Sequence, residues 1–360
     1  MRVLTVIGNR PQFIKAAAVT PVLRRHHDEV LIHTGQHFDD ALSSVFFTEL
    51  GIPAPDLELG ISLGSNSSQT ARMLAALAPA LSDLRPDLVL VYGDTNSTLA
   101  AALAGAQAGI PVAHVEAGMR SFDRTMPEEL NRVLVDHASA LLLCSSHVAA
   151  DNLRREAVAG AVEVVGDVMV DVAARVQPRA RERIDLLAAR GLRPGEYVLA
   201  TAHRAGNVDQ PERLELLVEL LLAIPYPVVL PLHPRTHARL RDGGLLGSLQ
   251  RSDRVIVTGP LGYVELTALL CHARAVLTDS GGLQKEAYLA GIRCITLRPS
   301  TEWVETVELG WNVLADLDRD AAIAALDTAP PAERPPLYGD GHAGERVVEA
   351  LSGSPVGSRT

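Results

Sequence analysis

Side chains able to move protons stand where short apolar runs stop. "VYGDTNST" puts Asp94 after one run, "HVEAGMRS" ends another at Glu116, and "TAHRAGN" ends a third at His203. "MPEELNR" sets Glu128 behind Pro127, at a helix start, with Arg132 one turn on and in reach of an i,i+4 pair. Carboxylates gathered at one sheet edge push one another's pKa values apart and make acid–base sets. A histidine there can carry a proton or meet a phosphate. Taken singly, each acid also reads as a helix cap or a surface charge. "PLHPRTH" repeats the histidine pattern with His233, while His237 and His272 read as structural.

A second chemistry is suggested by "TDSGGLQKEA". A strand ending at Asp279 is followed by Ser280, Gly281 and Gly282 at the mouth of a helix, where unpaired N–H groups and a partial positive charge favour an anion. The glycines leave no Cβ in the way, and Ser280 can add a hydroxyl. Glu286, one turn inside, suits ribose hydroxyls better than phosphate. The stretch reads as a diphosphate cradle with a ribose clamp; a tight turn before a capped helix accounts for it equally. In "IGNRPQFIK", Pro11 suits a first helical turn, and Arg10 and Lys15 either flank an anion or are solvated cations. There is no GxxxxGK[ST] and no GxGxxG, which argues against a P-loop and a dinucleotide fingerprint.

These residues need strands to carry them. The expected strands are "RVLTVI", "EVLIHTG", "DLVLVYG", "PVAHVE" and "ALLLCSS", then, after Gly166, "YVLATAH", "PVVLPLH", "RVIVTG", "AVLTDS" and "CITLR". Ala/Leu-rich amphipathic stretches alternate with them, the pattern of βα units on a parallel sheet. A helical stretch, "DVMVDVAARVQPRARERIDLLAARGL", divides the two series. With 360 residues, two domains are expected, 1–166 and 167–340, with a helix at 341–353 joining the first. Ligands of such sheets bind beyond the carboxyl ends of the strands, so two facing sheets would share one cleft. The net charge of −10 and scattered basic residues argue against nucleic acid. No apolar run reaches a membrane span. The start reads as no signal peptide. Cys144, Cys271 and Cys294 lie far apart, which makes zinc improbable and a reduced cytoplasmic setting the expectation.

"GNRPQFIK", "GDTNST", "HVEAGMRS", "PEELNR", "GDVMVD", "HRAGN", "PLHPRT", "TGPLGYVEL", "TDSGGLQKEA" and "TEWVETVELGWNVL" follow one another in the order and spacing of one family. Over nearly its whole length the chain resembles the non-hydrolysing UDP-N-acetylglucosamine 2-epimerases. The resemblance implies an α/β, GT-B-like fold of two Rossmann-like domains, inversion at C2 of a UDP-sugar, no metal or nicotinamide cofactor, and a homodimer. It implies that Arg10, Lys15, Asp94, Glu116, Glu128, Arg132 and His203 line the catalytic cleft. Ser280, Gly281, Gly282 and Glu286 would hold the diphosphate and ribose, Leu261 and Leu266 the uracil, and Arg298 the phosphates.

C2–H is barely acidic in such a substrate until the C1–O bond toward UDP breaks. Arg10, His203 and the Gly281 and Gly282 amides would stabilise the departing diphosphate. Asp94, Glu116 and Glu128 would supply proton removal and return on opposite faces of C2, through a 2-acetamidoglucal. The chain departs from the family pattern at Gly206, where a Glu is common, and at Trp303, where "TEWVE" replaces "TERPE". The "TEWVETVE…GWNVL" form of this chain is also similar to relatives acting on UDP-2,3-diacetamido-2,3-dideoxy-glucuronate. A GT-B glycosyltransferase or a non-catalytic nucleotide-sugar sensor would need the cradle but not the acids. Some members are activated by a second UDP-GlcNAc through Gln-His-x-Gln; "GQHFDD" keeps Gln36 and His37 but has Asp39, and His233 falls near the same region, so weak or absent activation is expected.

Overall fold

Runs of Val, Leu and Ile too short to be helices, bounded by Gly, Asp and Ser, become buried parallel strands. The computed structural model describes residues 1–36 and 47–353. The described residues form two compact units, one of Met1–Val172 and the chain from Pro336 on, the other of Ala173–Pro335.

In the first unit, β1 (Arg2–Ile7), β2 (Asp28–His33), β3 (Leu57–Glu58), β4 (Leu88–Tyr92), β5 (Val112–Ala117), β6 (Leu141–Cys144) and β7 (Ala161–Val164) make one sheet, ordered β3-β2-β1-β4-β5-β6-β7. In the second unit, β8 (Val198–Thr201), β9 (Val228–Pro231), β10 (Val255–Thr258), β11 (Ala275–Thr278), β12 (Arg293–Thr296) and β13 (Asn312–Leu314) are ordered β10-β9-β8-β11-β12-β13. All recorded pairings are parallel. Both units are Rossmann-like, the architecture of GT-B-like folds. In each, strand order reverses once, between β1 and β4 and between β8 and β11. Ligands of doubly wound sheets bind at such reversals.

Each strand expected from sequence is present. Three others, β3, β7 and β13, were not legible, and all three are sheet edges. An edge strand is short and half-wet, so it carries no long apolar run; β7 is mostly exposed.

The helix Ala343–Gly353 returns to the helix Arg10–His26 of the first unit. Its first amides are capped by Asp171, whose carboxylate accepts from Ala343 N at 3.1 Å and Gly344 N at 2.8 Å. Burial pushes the Asp171 carboxyl up, against the opposing pull of those bonds. Gly344 lets the helices touch, because a Cβ there would lie 2.5 Å from the Ala18 carbonyl oxygen. That atom is backbone and cannot swing away. Gly344→Ala should therefore destabilise the first unit by about 1–3 kcal/mol, outweighing the helix propensity gain of at most about 1 kcal/mol. A urea midpoint equal to that of the parent chain would contradict this packing.

Candidate active site

In the first unit the structure pairs Lys15 with Glu116 and Asp94 with Arg132 at the carboxyl ends of β1, β4 and β5. Asn9 caps the helix Arg10–His26, accepting from Gln12 N at 3.3 Å, with Pro11 in the first turn. Gln12 then locks that helix to β4. Its Oε1 accepts from Gly8 N at 2.7 Å, and its Nε2 donates to Tyr92 O at 3.0 Å and Thr98 Oγ1 at 2.9 Å. This lock sets Lys15 beside Glu116, and the two form an ion pair.

Glu116 is held unusually. Its φ is +72°, in the left-handed region that a non-glycine residue enters at a cost. The register between β5 and β6 slips between Val115 and Ala117, so Glu116 is the extra residue of a bulge. A bulge re-aims a side chain, here toward Lys15. Gly93 leaves room for the pair: a Cβ there would lie 2.8 Å from Lys15 Nζ and 3.4 Å from Glu116 Oε2, and its own φ is +63°.

Asp94 follows directly. Its Oδ2 accepts from Arg132 Nε at 3.0 Å and Nη2 at 2.6 Å. The Asp94 side chain is 25% exposed while that of Arg132 is 5% exposed, so Asp94 is the reachable member of the pair. Arg132 also donates to Glu129 at 3.1 Å. Glu129 is buried and accepts from Ser121 N and Phe122 N, each at 2.9 Å, which fixes the loop before the helix Pro127–Ala138. Glu128 is half-buried in that helix's first turn, and Arg10 is half-buried at the start of its own. Sequence reasoning missed Glu129; the second acid of "PEEL" was its only signal. Asp94 and Glu116 each have a cation, so their charges are balanced by ion pairs.

The second unit gathers its own set at the ends of β8, β11 and β12. Asp279 is wholly buried and accepts from His203 N at 3.0 Å, Arg204 N at 3.0 Å and Asn207 Nδ2 at 3.1 Å. It therefore ties β11 to the loop after β8. His203 Nδ1 lies 3.8 Å from Asp279 Oδ1, and the His203 ring lies 5.7 Å from that of His233. His233 caps the helix Pro234–Asp242, accepting from Arg235 N at 3.2 Å.

Ser280, Gly281 and Gly282 open the helix Gly281–Ala290, and the Ser280 side chain makes no capping bond to it. The two glycines differ in role. At Gly281 a Cβ would lie 2.1 Å from Glu302 Oε1, so this glycine makes room inside the protein. Gly282 is exposed and open, with Ser280 Oγ 3.9 Å from a built Cβ. Arg298 Nη2 donates to Glu302 at 2.5 Å. Trp303 Nε1 donates to Gly281 O at 2.8 Å, and the buried Lys285 ammonium lies 4.3 Å over its ring. Glu286 is half-buried in the second turn. Leu261 and Leu266 belong to a buried cluster with Tyr197, Leu199 and Leu283. Asp279 and Glu302 were absent from the sequence-derived site, although both stand in the quoted motifs.

Among the described residues no group of three or more His, Cys, Asp or Glu could hold a metal ion. Burial pushes the Cys144 and Cys294 thiols up to about 12 and Cys271 to about 11, which suits structural cysteines, not nucleophiles. No described helix is long and apolar enough to cross a membrane. Gln36 accepts from Ser97 N at 3.1 Å and Ser97 Oγ at 2.7 Å. His37 and Asp39, on which the expectation of weak activation turns, lie outside the described residues.

A family model described as UDP-N-acetylglucosamine 2-epimerase matches residues 22–352. The chain is 45% identical over 363 residues to the UDP-2,3-diacetamido-2,3-dideoxy-D-glucuronate 2-epimerase of Pseudomonas aeruginosa, covering 98% of this chain and 99% of that one. It is 43% identical over 354 residues to a UDP-N-acetylglucosamine 2-epimerase homolog of Methanococcus maripaludis, with the same coverage. The crystal structure of Methanocaldococcus jannaschii UDP-GlcNAc 2-epimerase in complex with UDP-GlcNAc and UDP superposes with a TM-score of 0.92, at 38% identity over 98% of this chain and 100% of that one. With its two parallel sheets and matches of this length, the chain belongs to the UDP-N-acetylglucosamine 2-epimerase family.

Proposed function

We propose that the protein is a 2-epimerase of a UDP-2-acetamido sugar, UDP-N-acetylglucosamine first, acting by elimination and re-addition of UDP. The observation that carries the reading is Glu116, aimed by a strained bulge at Lys15 and set next to the Gly93–Asp94 turn. Backbone strain kept at a strand end is a mark of function. In the first half-reaction a carboxylate takes the C2 proton, the C–H electrons form the C1=C2 bond, and the C1–O pair leaves with UDP. In the second, a carboxyl returns a proton to the other face of C2 and a UDP oxygen adds to C1. Asp94, Glu116 and Glu128 form the acid–base set. His203, Arg10 and the amides of Gly281 and Gly282, at the helix start, take the charge of the leaving diphosphate. The open Gly282, exposed at a helix N-terminus, supports the diphosphate role better than Gly281, whose space Glu302 uses. The working form is a homodimer.

A second substrate, UDP-2,3-diacetamido-2,3-dideoxy-glucuronate, is favoured by the 45% identity to the Pseudomonas aeruginosa enzyme. Both sugars should be offered to protein dialysed exhaustively against EDTA, with C2 configuration read by NMR. Epimerisation of UDP-N-acetylglucosamine without added metal is the expected result. Turnover of the diacetamido glucuronate alone would reassign the substrate. A requirement for added Mg²⁺ in the chemical step would count against the mechanism.

A further inference from the structure

Behind the acids of the first unit lies a buried ionic chain that the proposed mechanism leaves unused. His114, in β5, is fully buried. Its Nε2 is 2.7 Å from the Gly93 carbonyl oxygen and its Nδ1 is 2.7 Å from Asp136 Oδ1. A carbonyl oxygen only accepts, so Nε2 carries a proton. Asp136 is also fully buried, and its other oxygen accepts from Gly118 N at 3.1 Å and Arg120 Nη1 at 2.7 Å. Asp136 Oδ2 thus accepts from two donors, one of them a guanidinium, while Oδ1 faces the His114 ring, a setting for an ionised carboxylate. A carboxylate has no proton to give, so Nδ1 donates as well. Arg120 continues outward to Glu156, with contacts of 2.8 and 2.7 Å. Two cations and two anions thus balance, which makes their burial tolerable.

The chain's contacts fall on the backbone that carries the acids. Gly93 precedes Asp94. His114 and Gly118 flank Glu116 by two residues on either side. The same helix, Pro127–Ala138, also sends Asn131 Nδ2 to the Asp94 carbonyl at 2.9 Å. We infer that Asp136 keeps His114 as an imidazolium, and that this pair is the positioning element for Asp94 and the bulged Glu116 during proton transfer. The inference rests on the epimerase reading for the purpose of the pair, but not for its protonation. Charge-assisted bonds from an imidazolium are shorter and stronger than those of a neutral ring, and they clamp a segment whose own backbone conformation is strained. His114 and Asp136 do not touch the reacting atoms in this role.

Asp136→Asn separates charge from shape. The Asn oxygen can still accept from Gly118 and Arg120, and its amide can donate to an unprotonated Nδ1. Every bond is thereby kept while the ring becomes neutral. ¹⁵N NMR of histidine-labelled protein at neutral pH, where an unpaired imidazole is mostly neutral, should show both His114 nitrogens protonated in the parent chain and only Nε2 in the variant. The variant's kcat should fall by about 10- to 100-fold, as for a small misplacement of reacting groups, with KM within about twofold and the urea midpoint close to the parent's. A neutral His114 in the parent chain would overturn the inference without any variant being needed. So would a variant with a neutral ring and undiminished kcat. Absence of any C2 epimerisation by the parent chain would instead sink the functional reading and leave the protonation result standing.

Discussion

Glu116→Gln is expected to lower turnover by about 10²-fold or more, the loss typical of a missing acid–base group. Glutamine has the same shape, so the bulge between Val115 and Ala117 and the contact with Lys15 can persist. What it lacks is a carboxylate able to take a proton. UDP affinity, measured by calorimetry, should stay within about twofold, because the proposed nucleotide contacts, Arg10 apart, belong to the other unit. Asp94→Asn and Glu128→Gln should behave alike. Turnover near that of the parent chain in any of these variants would remove that residue from the acid–base set.

Gly282→Asp is expected to weaken UDP binding by about 10²-fold, from the repulsion of like charges at hydrogen-bonding range. The fold should not suffer. The site is open, its backbone is not left-handed, and an acid in the first turn of a helix is favourable by about 0.3–1 kcal/mol. An unchanged or raised thermal midpoint with a large loss of UDP affinity would separate binding from folding. UDP affinity equal to the parent's would mean that this helix start holds no diphosphate. Gly281→Ala would be a poorer probe, since it must first displace Glu302.

Much of this was legible in sequence for a physical reason. Strands buried on both faces need unbroken apolar runs, and in parallel sheets the polar residue just past each run sits at the functional edge. Asp94, Glu116, His203 and Ser280 were placed at the ends of their strands that way. What was not legible depends on packing between distant segments. Lys15 and Glu116 are 101 residues apart in sequence, and nothing local pairs them. Asp279 looked like the end of a strand, but its carboxylate binds amides at His203 and Arg204, more than 70 positions earlier. The positive φ of Glu116 carries no sequence signal, because such strain is sustained by the surrounding fold. Gly281 was read as space for a ligand, whereas the nearest atom belongs to Glu302. The edge strands β3, β7 and β13 escaped because strands of two to four residues, most of them partly or wholly exposed, need no long apolar run.

The central claim is that a proton leaves and returns to C2 while the C1–O bond to UDP is broken. The most direct measurement is to incubate the protein with UDP-N-acetylglucosamine in D₂O and read C2 by NMR. Deuterium at C2 of the epimer, with UDP and the 2-acetamidoglucal appearing at low level, is the predicted result. Epimer formed with its original hydrogen kept at C2, or transfer of the sugar with no exchange at C2, would contradict it.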